Sequence, residues 1–328
     1  MSNLIPKKFP IGPTFGFTGV PLTVQVVGFE DNNHPLIPRK KEYRFRRESL
    51  RDVNAFLNNP LGDGLYLKGP TGSGKTSLIS QVAARLNWPV HQVTCHGRME
   101  INDLIGQFML SNGSMQFMHG PLAQAVRDGH ILVLNEIDLI DPSELSGLND
   151  IIEGQPLVIP QNSGEVIMPH PFFRLVATGN SAGQGDQSGL YQGVLQQNIA
   201  FMDRFRLCEI EYPTVEEEEA IVKSYYASIG TVFDAPQKQI TDKMIEVANN
   251  IRKQFSGNSD STGTLSVTMS TRTLLRWISL MIAFKGGQNV IKYSFERTLS
   301  FRVDAGQRAA IEKIAKLVFG DDWEVKKP

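Results

Sequence analysis

The chain has 328 residues, which at about 150 residues per domain corresponds to roughly two domains. Its hydrophobic content of 41% and charged content of 20% are those of an ordinary globular protein, and 29 glycines with 18 prolines are too few for collagen or for wholesale disorder. The formal net charge is −1 at pH 7, so no strong overall field favours nucleic acid or an anionic membrane surface.

The cysteines, histidines and apolar runs exclude further classes of protein. Cys95 and Cys208 form no CxxC pair, which excludes a disulfide framework and predicts two reduced core thiols. The six histidines show no ligand spacing along the chain, which argues against a transition-metal site. No apolar run reaches the ~20 residues of a membrane span, and Lys7 and Lys8 are not followed by the apolar core of a signal peptide. We therefore expect a cytoplasmic protein without a membrane segment.

The N-terminal segment shows no periodic pattern. Residues 1–25 are rich in Pro, Gly and Phe, which predicts an extended or partly ordered arm. Basic residues then cluster between Arg39 and Arg47. We interpret this basic stretch as a solvated connecting segment, with contact to a phosphate or a partner as the alternative. A short helix is expected at Ser49–Asn58.

Strands and helices alternate from about residue 62 onwards. Strands are predicted at Leu65–Lys68, Val90–Thr94, Ile131–Leu134 and Phe173–Thr178. Helices are predicted at Thr76–Leu86, Pro121–Asp128 and Ser143–Glu153. Alternation of this kind predicts a mainly parallel sheet covered by helices on both faces.

Two hairpins are expected within this alternating region. In Gln107–His119, the pair Asn112-Gly113 separates two apolar runs, and Asn-Gly is a strong signal for a short hairpin turn. The second hairpin spans residues 157–168 around Asn162-Ser163-Gly164. Exposed apolar tips would be candidate partner contacts, and ordinary packing against the core is the alternative.

The strand pattern stops after Pro213. Thr214 and Glu217 form a capping box that opens a helix to about Ser228. Further helices are predicted at Asp242–Phe255, Thr271–Phe284 and Asp304–Phe319, and a polar loop at Ser256–Gly263. The sequence therefore predicts an α/β core followed by a smaller all-helical domain.

A phosphate-binding motif lies between the first predicted strand and the helix after it. The pattern G-x-x-x-x-G-K-[ST] is matched at every fixed position by Gly69-Pro70-Thr71-Gly72-Ser73-Gly74-Lys75-Thr76, and the candidate site extends to Ser77. In such a loop the backbone N–H groups and the helix N-terminus surround the phosphates. We expect Lys75 to reach the β- and γ-phosphates of ATP and Thr76 to ligate Mg²⁺.

A second nucleotide motif ends the buried strand Ile131–Leu134. The usual form of this motif ends in Asp-Glu, and here it ends in Asn135-Glu136. Glu136 is placed to polarise the attacking water. Asn135 can only hydrogen-bond a metal-bound water and brings no charge. Asp138 lies three residues on, past the strand end, and is not expected to replace the missing acid.

Three further polar residues are candidates for the same chemistry. Asn180 follows an apolar strand, where its amide can hold the lytic water or the γ-phosphate. Arg204 lies just before the domain boundary and can stabilise transition-state charge at a neighbour's γ-phosphate, or else pair within the chain with Asp203 or Glu209. Arg272 opens a helix in the second domain and can close over the nucleotide, or else lie on the surface.

Together these motifs resemble the AAA+ ATPases of the MoxR branch, and more closely the CobS-type ATPase subunits of cobaltochelatases. The resemblance covers about residues 26–212 well and the helical domain only through Ser270-Thr271-Arg272. The runs that carry it are Gly28-Phe29, Tyr43-Arg44-Phe45, Ala83-Ala84-Arg85-Leu86-Asn87-Trp88-Pro89, Pro169-His170-Pro171-Phe172-Phe173-Arg174-Leu175, Gly185-Asp186-Gln187-Ser188-Gly189-Leu190-Tyr191-Gln192-Gly193 and Met202-Asp203-Arg204.

The arm over 1–25 lies outside the resemblance, which implies an AAA+ core over 26–212 and a helical lid over 213–328. The resemblance also implies a hexameric ring with ATP at the subunit interfaces, in which Asn180 is sensor 1, Arg204 the trans-acting finger and Arg272 sensor 2. Such ATPases commonly work with a partner that carries a von Willebrand factor A domain. Asn135 departs from the acid of the family, which bears on the rate of hydrolysis and not on the fold.

Several functions stay open at this point. The first hypothesis is a MoxR/CobS-type motor that uses ATP to remodel a partner protein or complex. The alternatives are a cobaltochelatase ATPase subunit and an ATP-gated scaffold with little turnover, the latter favoured only by Asn135. A nucleic-acid motor is a weaker hypothesis, because the net charge is near zero and no DNA-reading motif is visible.

Overall fold

The structure is a computed structural model that describes residues 4–111, 113–186, 191, 193–255 and 265–324. The chain divides into two compact units. The first comprises Met1–Lys41, Phe45–Pro70 and Gly74–Ile210. The second comprises Glu42–Arg44, Thr71–Ser73 and Glu211–Pro328.

The N-terminal segment is folded rather than extended. It contains β1 (Pro6–Pro10), α1 (Ile11–Phe15), β2 (Gln25–Phe29) and α2 (Arg47–Asn58). Strands β1 and β2 pair antiparallel, with Lys8 opposite Val27. Phe29 is fully buried, and a Cβ atom at Gly28 would lie 2.4 Å from the carbonyl oxygen of Leu86. The expected arm is therefore partly a strand pair that packs tightly on the core, which the proline-rich sequence does not indicate.

The α/β part of the first unit follows in chain order. Its first half contains β3 (Gly64–Lys68), α3 (Lys75–Leu86), β4 (Val90–Thr94), α4 (Ile101–Ile105), β5 (Gly106–Ser111), β6 (Ser114–His119), α5 (Pro121–Asp128) and β7 (Ile131–Asn135). Its second half contains α6 (Pro142–Leu145), α7 (Asn149–Ile152), β8 (Leu157–Ile159), β9 (Glu165–Ile167), β10 (Arg174–Gly179), α8 (Ile199–Met202) and β11 (Phe205–Glu209).

Five strands form one parallel sheet in the order β11-β3-β10-β7-β4. Every residue of β7 and β10 is buried, as the expectation of a parallel sheet covered on both faces requires. Strand β11 was not predicted. As an edge strand it buries Phe205 and Cys208 and leaves Leu207 57% exposed, so its sequence lacks a continuous apolar run.

Both expected hairpins are present. Strand β5 pairs with β6, and β8 pairs with β9, each antiparallel. Of the predicted turn residues, Asn112 lies outside the described residues, and Gly113 has a left-handed φ of 79°. The tip of the first hairpin exposes apolar side chains, with Leu110 73% and Met115 62% exposed.

The predicted helix Ser143–Glu153 is broken into three short pieces. Helices α6 and α7 flank a 3-10 turn at Ser146–Leu148. The apolar residues of this segment still face the core, since Leu145, Leu148 and Ile151 are all buried. The hydroxyl of Ser146 donates to the carbonyl of Ser143 at 2.6 Å, a local bond of the kind that competes with regular helix.

The second unit is helical, as predicted. It contains α9 (Val215–Ser228), α10 (Ala235–Phe255), α11 (Thr271–Ala283), α12 (Val290–Thr298) and α13 (Ala305–Phe319). The capping box of Thr214 and Glu217 is formed at α9. Helix α10 begins two turns earlier than predicted, at a point where the Asp234 carboxylate accepts the Gln237 N–H at 3.1 Å, and α12 was not predicted.

The core of the helical unit is aromatic. Trp277 is fully buried and its ring centroid lies 4.7 Å from that of Phe295, which in turn contacts Trp323. The predicted loop Ser256–Gly263 lies outside the described residues. Within the described part of the chain, no helix combines the length and the apolar content that a membrane crossing requires.

Candidate nucleotide site

The carboxyl ends of three parallel strands place the candidate residues at one edge of the sheet. The phosphate loop follows β3, Asn135 ends β7, and Asn180 follows β10 directly. In the register of the sheet, Thr178 of β10 lies opposite Asn135. Open α/β sheets bind ligands outside the carboxyl ends of their strands.

The loop itself adopts the backbone that its glycines allow. Gly72 has φ 72° and Gly74 has φ 99°, both in the left-handed region where glycine carries no steric penalty. Gly74 is the residue before α3, which has 12 residues. The first N–H groups of this helix and the positive end of its dipole therefore face the loop, as anion binding requires.

Lys75 joins the loop to the Asn180 side chain. Its Nζ donates to the carbonyl oxygens of Gly69 at 2.6 Å and Pro70 at 3.0 Å, and to Asn180 Oδ1 at 3.2 Å. Burial lowers the pKa of the Lys75 ammonium to about 8, although the negative charges of Asp138 and Glu136 oppose this shift. An anion bound beside Lys75 would favour its charged form.

Thr76 and Asn135 form the second contact of the site. Thr76 Oγ1 donates to Asn135 Oδ1 at 2.6 Å, and the Asn135 amide NH₂ donates to the carbonyl of Val93 at 3.2 Å. Asn135 is only 6% exposed, so these bonds fix which end of its amide faces Thr76. The pair presents oxygen donors, which are the donors that Mg²⁺ takes from proteins. Among the described residues, no group of three or more His, Cys, Asp or Glu side chains could hold a metal ion.

Glu136 is turned out of the sheet by an unusual backbone conformation. Its φ of 57° and ψ of 42° lie in the left-handed region, which costs a residue with a side chain roughly 1–2 kcal/mol. The Glu136 N–H donates to Thr178 Oγ1 at 3.3 Å. The side chain is exposed, and its charge acts on Lys75. This conformation therefore presents a carboxylate to solvent at the sheet edge, where a water-activating group is expected.

Asp138 contacts the site in a way that the sequence did not predict. It is fully buried, and its Oδ2 accepts the backbone N–H of Asn180 at 2.8 Å and of Ser181 at 3.4 Å. Burial raises the pKa of this carboxyl, opposed by the two backbone N–H groups and by Lys75. The only sequence signal was an acid three residues beyond Asn135, which is too common a pattern to indicate this role.

The two arginines before the domain boundary make ion pairs within the chain. Arg204 pairs with Glu153 at 2.7 Å and also donates to the carbonyl of Ala200 at 2.6 Å. The expected alternative partners, Asp203 and Glu209, were therefore wrong, because the real partner lies on a segment distant in sequence. Arg206 pairs with Asp63 at 2.9 Å.

The last of the polar candidates, Arg272, belongs to the helical unit. Arg272 is exposed at the second position of α11, whose N-cap Ser270 accepts the Thr273 N–H at 3.2 Å. Within the same unit, a Cβ atom at Gly72 would lie 2.4 Å from Ser270 Cβ, so only glycine fits there. The first residue of α11 contacts a buried ion pair: Arg252 Nη2 donates to Glu218 Oε1 at 2.7 Å, and Thr271 Oγ1 donates to the same oxygen at 2.9 Å.

Both cysteines are buried free thiols, as predicted. Burial raises the pKa of Cys95 to about 12 and that of Cys208 to about 12. Neither thiol is therefore a ready nucleophile.

Comparisons with known proteins define the class of the chain. Residues 64–196 match the family model of the AAA domain of the dynein-related subfamily, and residues 235–318 match that of the CbbQ/NirQ/NorQ C-terminal domain. The chain therefore carries an AAA domain followed by a C-terminal domain of the CbbQ/NirQ/NorQ type.

The chain is also similar to individual proteins. The chain is 29% identical to the aerobic cobaltochelatase subunit CobS of Sinorhizobium sp over 98% of its own length and 93% of that protein. It is 25% identical to the uncharacterised protein YojN of Bacillus subtilis over 81% of each chain. It is also 34% identical to an uncharacterised protein of Staphylococcus haemolyticus over 53% of this chain and 64% of that one. The predicted resemblance to CobS-type ATPases is thus confirmed.

Proposed function

We propose that this protein hydrolyses ATP with Mg²⁺ at the edge of the parallel sheet. The observation that carries the proposal is the hydrogen-bonded set of Lys75 with Asn180 and of Thr76 with Asn135. These four side chains come from three separate strand ends of one AAA domain. Their arrangement supplies a cation for phosphates, oxygens for a metal and an amide for the γ-phosphate.

Each residue has a distinct proposed task. The loop residues Gly69, Pro70, Thr71, Gly72, Ser73, Gly74 and Ser77 surround the phosphates, and all of them except Pro70 can offer a backbone N–H group there. Lys75 neutralises the β- and γ-phosphates, Thr76 and Asn135 hold the metal and its water shell, and Glu136 takes the proton of the attacking water. Asn180 orients that water or the γ-phosphate. Mg²⁺, when bound, would neutralise the charge that develops on the phosphate oxygens.

We further propose that the active form is a ring of identical subunits, hexameric by resemblance, in which Arg204 and Arg272 complete the site. Arg204 is half-buried and already oriented by Glu153 and Ala200. An arginine held in this way has lost much of its side-chain freedom before it meets a neighbour's phosphate. Arg272 is exposed and therefore accessible to a phosphate.

The work that ATP drives is proposed to be the remodelling of a partner protein, with a von Willebrand factor A-domain protein as the first candidate. The exposed apolar tips of the two hairpins support a protein substrate, since Leu110 is 73% and Val166 57% exposed. We place the protein in the cytoplasm, where ATP is available and thiols stay reduced. A cobaltochelatase ATPase subunit is the second candidate, and the similarity to CobS over 98% of the chain favours it.

The test begins with phosphate release from ATP by the wild-type protein, measured with and without Mg²⁺ over a range of protein concentrations. We expect Mg²⁺-dependent turnover that rises per subunit as the ring assembles. ATP binding without turnover at any concentration would favour the ATP-gated scaffold that Asn135 suggested. Affinity purification of the Glu136→Gln protein with ATP would then identify the partner, with the same protein without nucleotide as the control.

A further inference from the structure

The buried carboxylate of Asp138 holds the backbone that carries Asn180. Its Oδ2 accepts the N–H of Asn180 at 2.8 Å and of Ser181 at 3.4 Å. Both N–H groups lie just beyond the end of β10, where the sheet no longer supplies partners. A charged acceptor gives stronger hydrogen bonds than a neutral one, so this contact restricts the turn tightly.

The same turn is held from its other side by Tyr66. The Tyr66 hydroxyl donates to the carbonyl oxygen of Ser181 at 2.9 Å. A Cβ atom at Gly179 would lie 1.9 Å from the Tyr66 hydroxyl oxygen and 3.0 Å from Asp138 Oδ2. The absence of a side chain at Gly179 is therefore what lets both groups approach the turn.

Stability alone does not explain an acid at this position. Asp138 is fully buried, its Oδ1 has no hydrogen-bond partner among the described residues, and it forms no ion pair there. Burying a carboxylate with one oxygen unsatisfied is costly, and such groups in native proteins call for an explanation. The explanation offered by its contacts is the placement of Asn180.

The backbone of Asp138 reaches the segment before Arg204. Its carbonyl oxygen accepts the Leu195 N–H at 2.8 Å, and the Gln197 side chain donates to the carbonyl of Ile140 at 3.3 Å. Asn198 then caps α8, and Arg204 follows that helix. The turn at Asp138 thus contacts both the residue that faces Lys75 and the segment that leads to the proposed finger.

We propose that Asp138 is a positioning residue, which sets the Asn180 side chain for ATP hydrolysis and ties its turn to the 195–197 segment. The kinetic part of this inference rests on the proposed function, and the structural part does not. The substitution Asp138→Asn keeps the size and removes the charge. Asp141→Asn is the matched control, because Asp141 also accepts a backbone N–H, that of Ser143 at 2.8 Å, but is exposed.

Two measurements test the proposal. In single-turnover hydrolysis, Asp138→Asn should lower the rate by roughly tenfold to hundredfold, the cost of a misplaced catalytic group, while ATP affinity stays within about threefold. Combining it with Asn180→Ala should cause little further loss, since both changes remove the same contribution. Amide hydrogen exchange should show protected N–H groups at Asn180 and Ser181 in the wild type and in Asp141→Asn, and faster exchange in Asp138→Asn.

The outcomes separate this inference from the proposed function. If the wild type does not hydrolyse ATP, the proposed function fails and the exchange comparison alone decides on Asp138. Rapid exchange at Asn180 and Ser181 in the wild type would overturn the inference, even if Asp138→Asn does not fold. Unchanged exchange or an unchanged hydrolysis rate in a folded Asp138→Asn protein would overturn it as well.

Discussion

The ammonium of Lys75 lies 3.2 Å from the side-chain oxygen of Asn180, although 105 residues separate the two in the chain. Lys75 also donates to two carbonyl oxygens of its own loop, at Gly69 and Pro70. All three acceptors are neutral, and burial lowers the pKa of Lys75 to about 8. None of its hydrogen-bond acceptors thus carries a charge, and a bound phosphate of ATP would be a charged one.

Lys75→Ala should abolish ATP binding. Alanine cannot replace a charge at the phosphates, and hydrogen bonds to charged groups contribute about 1.5–3 kcal/mol each, so the affinity should fall by roughly 100-fold or more. Equilibrium titration with a fluorescent ATP analogue measures this loss. Lys68→Ala is the control, because Lys68 pairs instead with Glu209 at 2.9 Å. This variant should bind ATP as tightly as the wild type. Unchanged affinity in Lys75→Ala would mean that the loop is not the site.

Asn135→Asp should raise the turnover rate or lower the Mg²⁺ concentration needed for the half-maximal rate. The Asn135 amide oxygen faces Thr76 Oγ1 at 2.6 Å, so a carboxylate in its place would add charge next to the expected metal. Mg²⁺ prefers carboxylate partners. A Mg²⁺ titration of phosphate release compares the two proteins. If neither quantity changes, the asparagine does not limit the chemistry.

Arg204→Ala should lower the ATPase rate of the assembled protein by roughly 10³, the value seen when a finger arginine is removed in phosphoryl-transfer systems. Mixing this variant with Glu136→Gln subunits should restore some activity, because each supplies what the other lacks at one kind of interface. Arg206→Ala is the matched control, since Arg206 is also half-buried and ion-paired, with Asp63, but has no proposed role in the site. A monomer that hydrolyses ATP at the full rate would contradict the prediction.

The free energy of unfolding should fall as the pH is lowered from 7.5 to 5. His91 Nε2 and His130 Nδ1 lie 3.1 Å apart with their rings stacked, and the residues are 8% and 3% exposed. Burial lowers the pKa of both, that of His130 to about 4, with Asp128 opposing the shift. Below the unfolded value of about 6.5 the unfolded chain binds more protons than the folded chain, so stability is lost with acid, by roughly 1–2 kcal/mol at pH 5.

Urea unfolding at the two pH values measures this loss. His130→Gln should reduce the pH dependence, and His96→Gln, at an exposed histidine, should leave it unchanged. A wild-type stability that is equal at pH 7.5 and pH 5 would contradict the prediction.

The sequence predicted those elements whose signals are local. The capping box at Thr214, the buried strands around Val133 and Val176 and the Asn-Gly hairpin each combine pattern and turn chemistry within a few residues. The α/β core with a helical second part followed from their order. The phosphate loop was visible for the same reason, because its eight residues are contiguous.

Features that depend on distant partners were missed. Strand β11 is held by pairing with β3 and has no apolar run of its own. Glu153 pairs with Arg204, and the positions of these two residues in the sequence do not indicate that they are in contact. The sequence assigned no role to Asp138, because its role depends on the turn at Asn180, 42 residues away. Likewise, no sequence pattern connects His91 with His130, whose rings are stacked in the structure.

In the proposed mechanism, the carboxylate of Glu136 takes the proton of the water that attacks ATP at this sheet edge. The most direct measurement is phosphate release from ATP by Glu136→Gln, together with its ATP affinity. Glu246→Gln, at an exposed acid of α10, is the control. We predict that Glu136→Gln binds ATP as tightly as the wild type and loses its turnover, while Glu246→Gln keeps both. Wild-type turnover in Glu136→Gln would contradict the account.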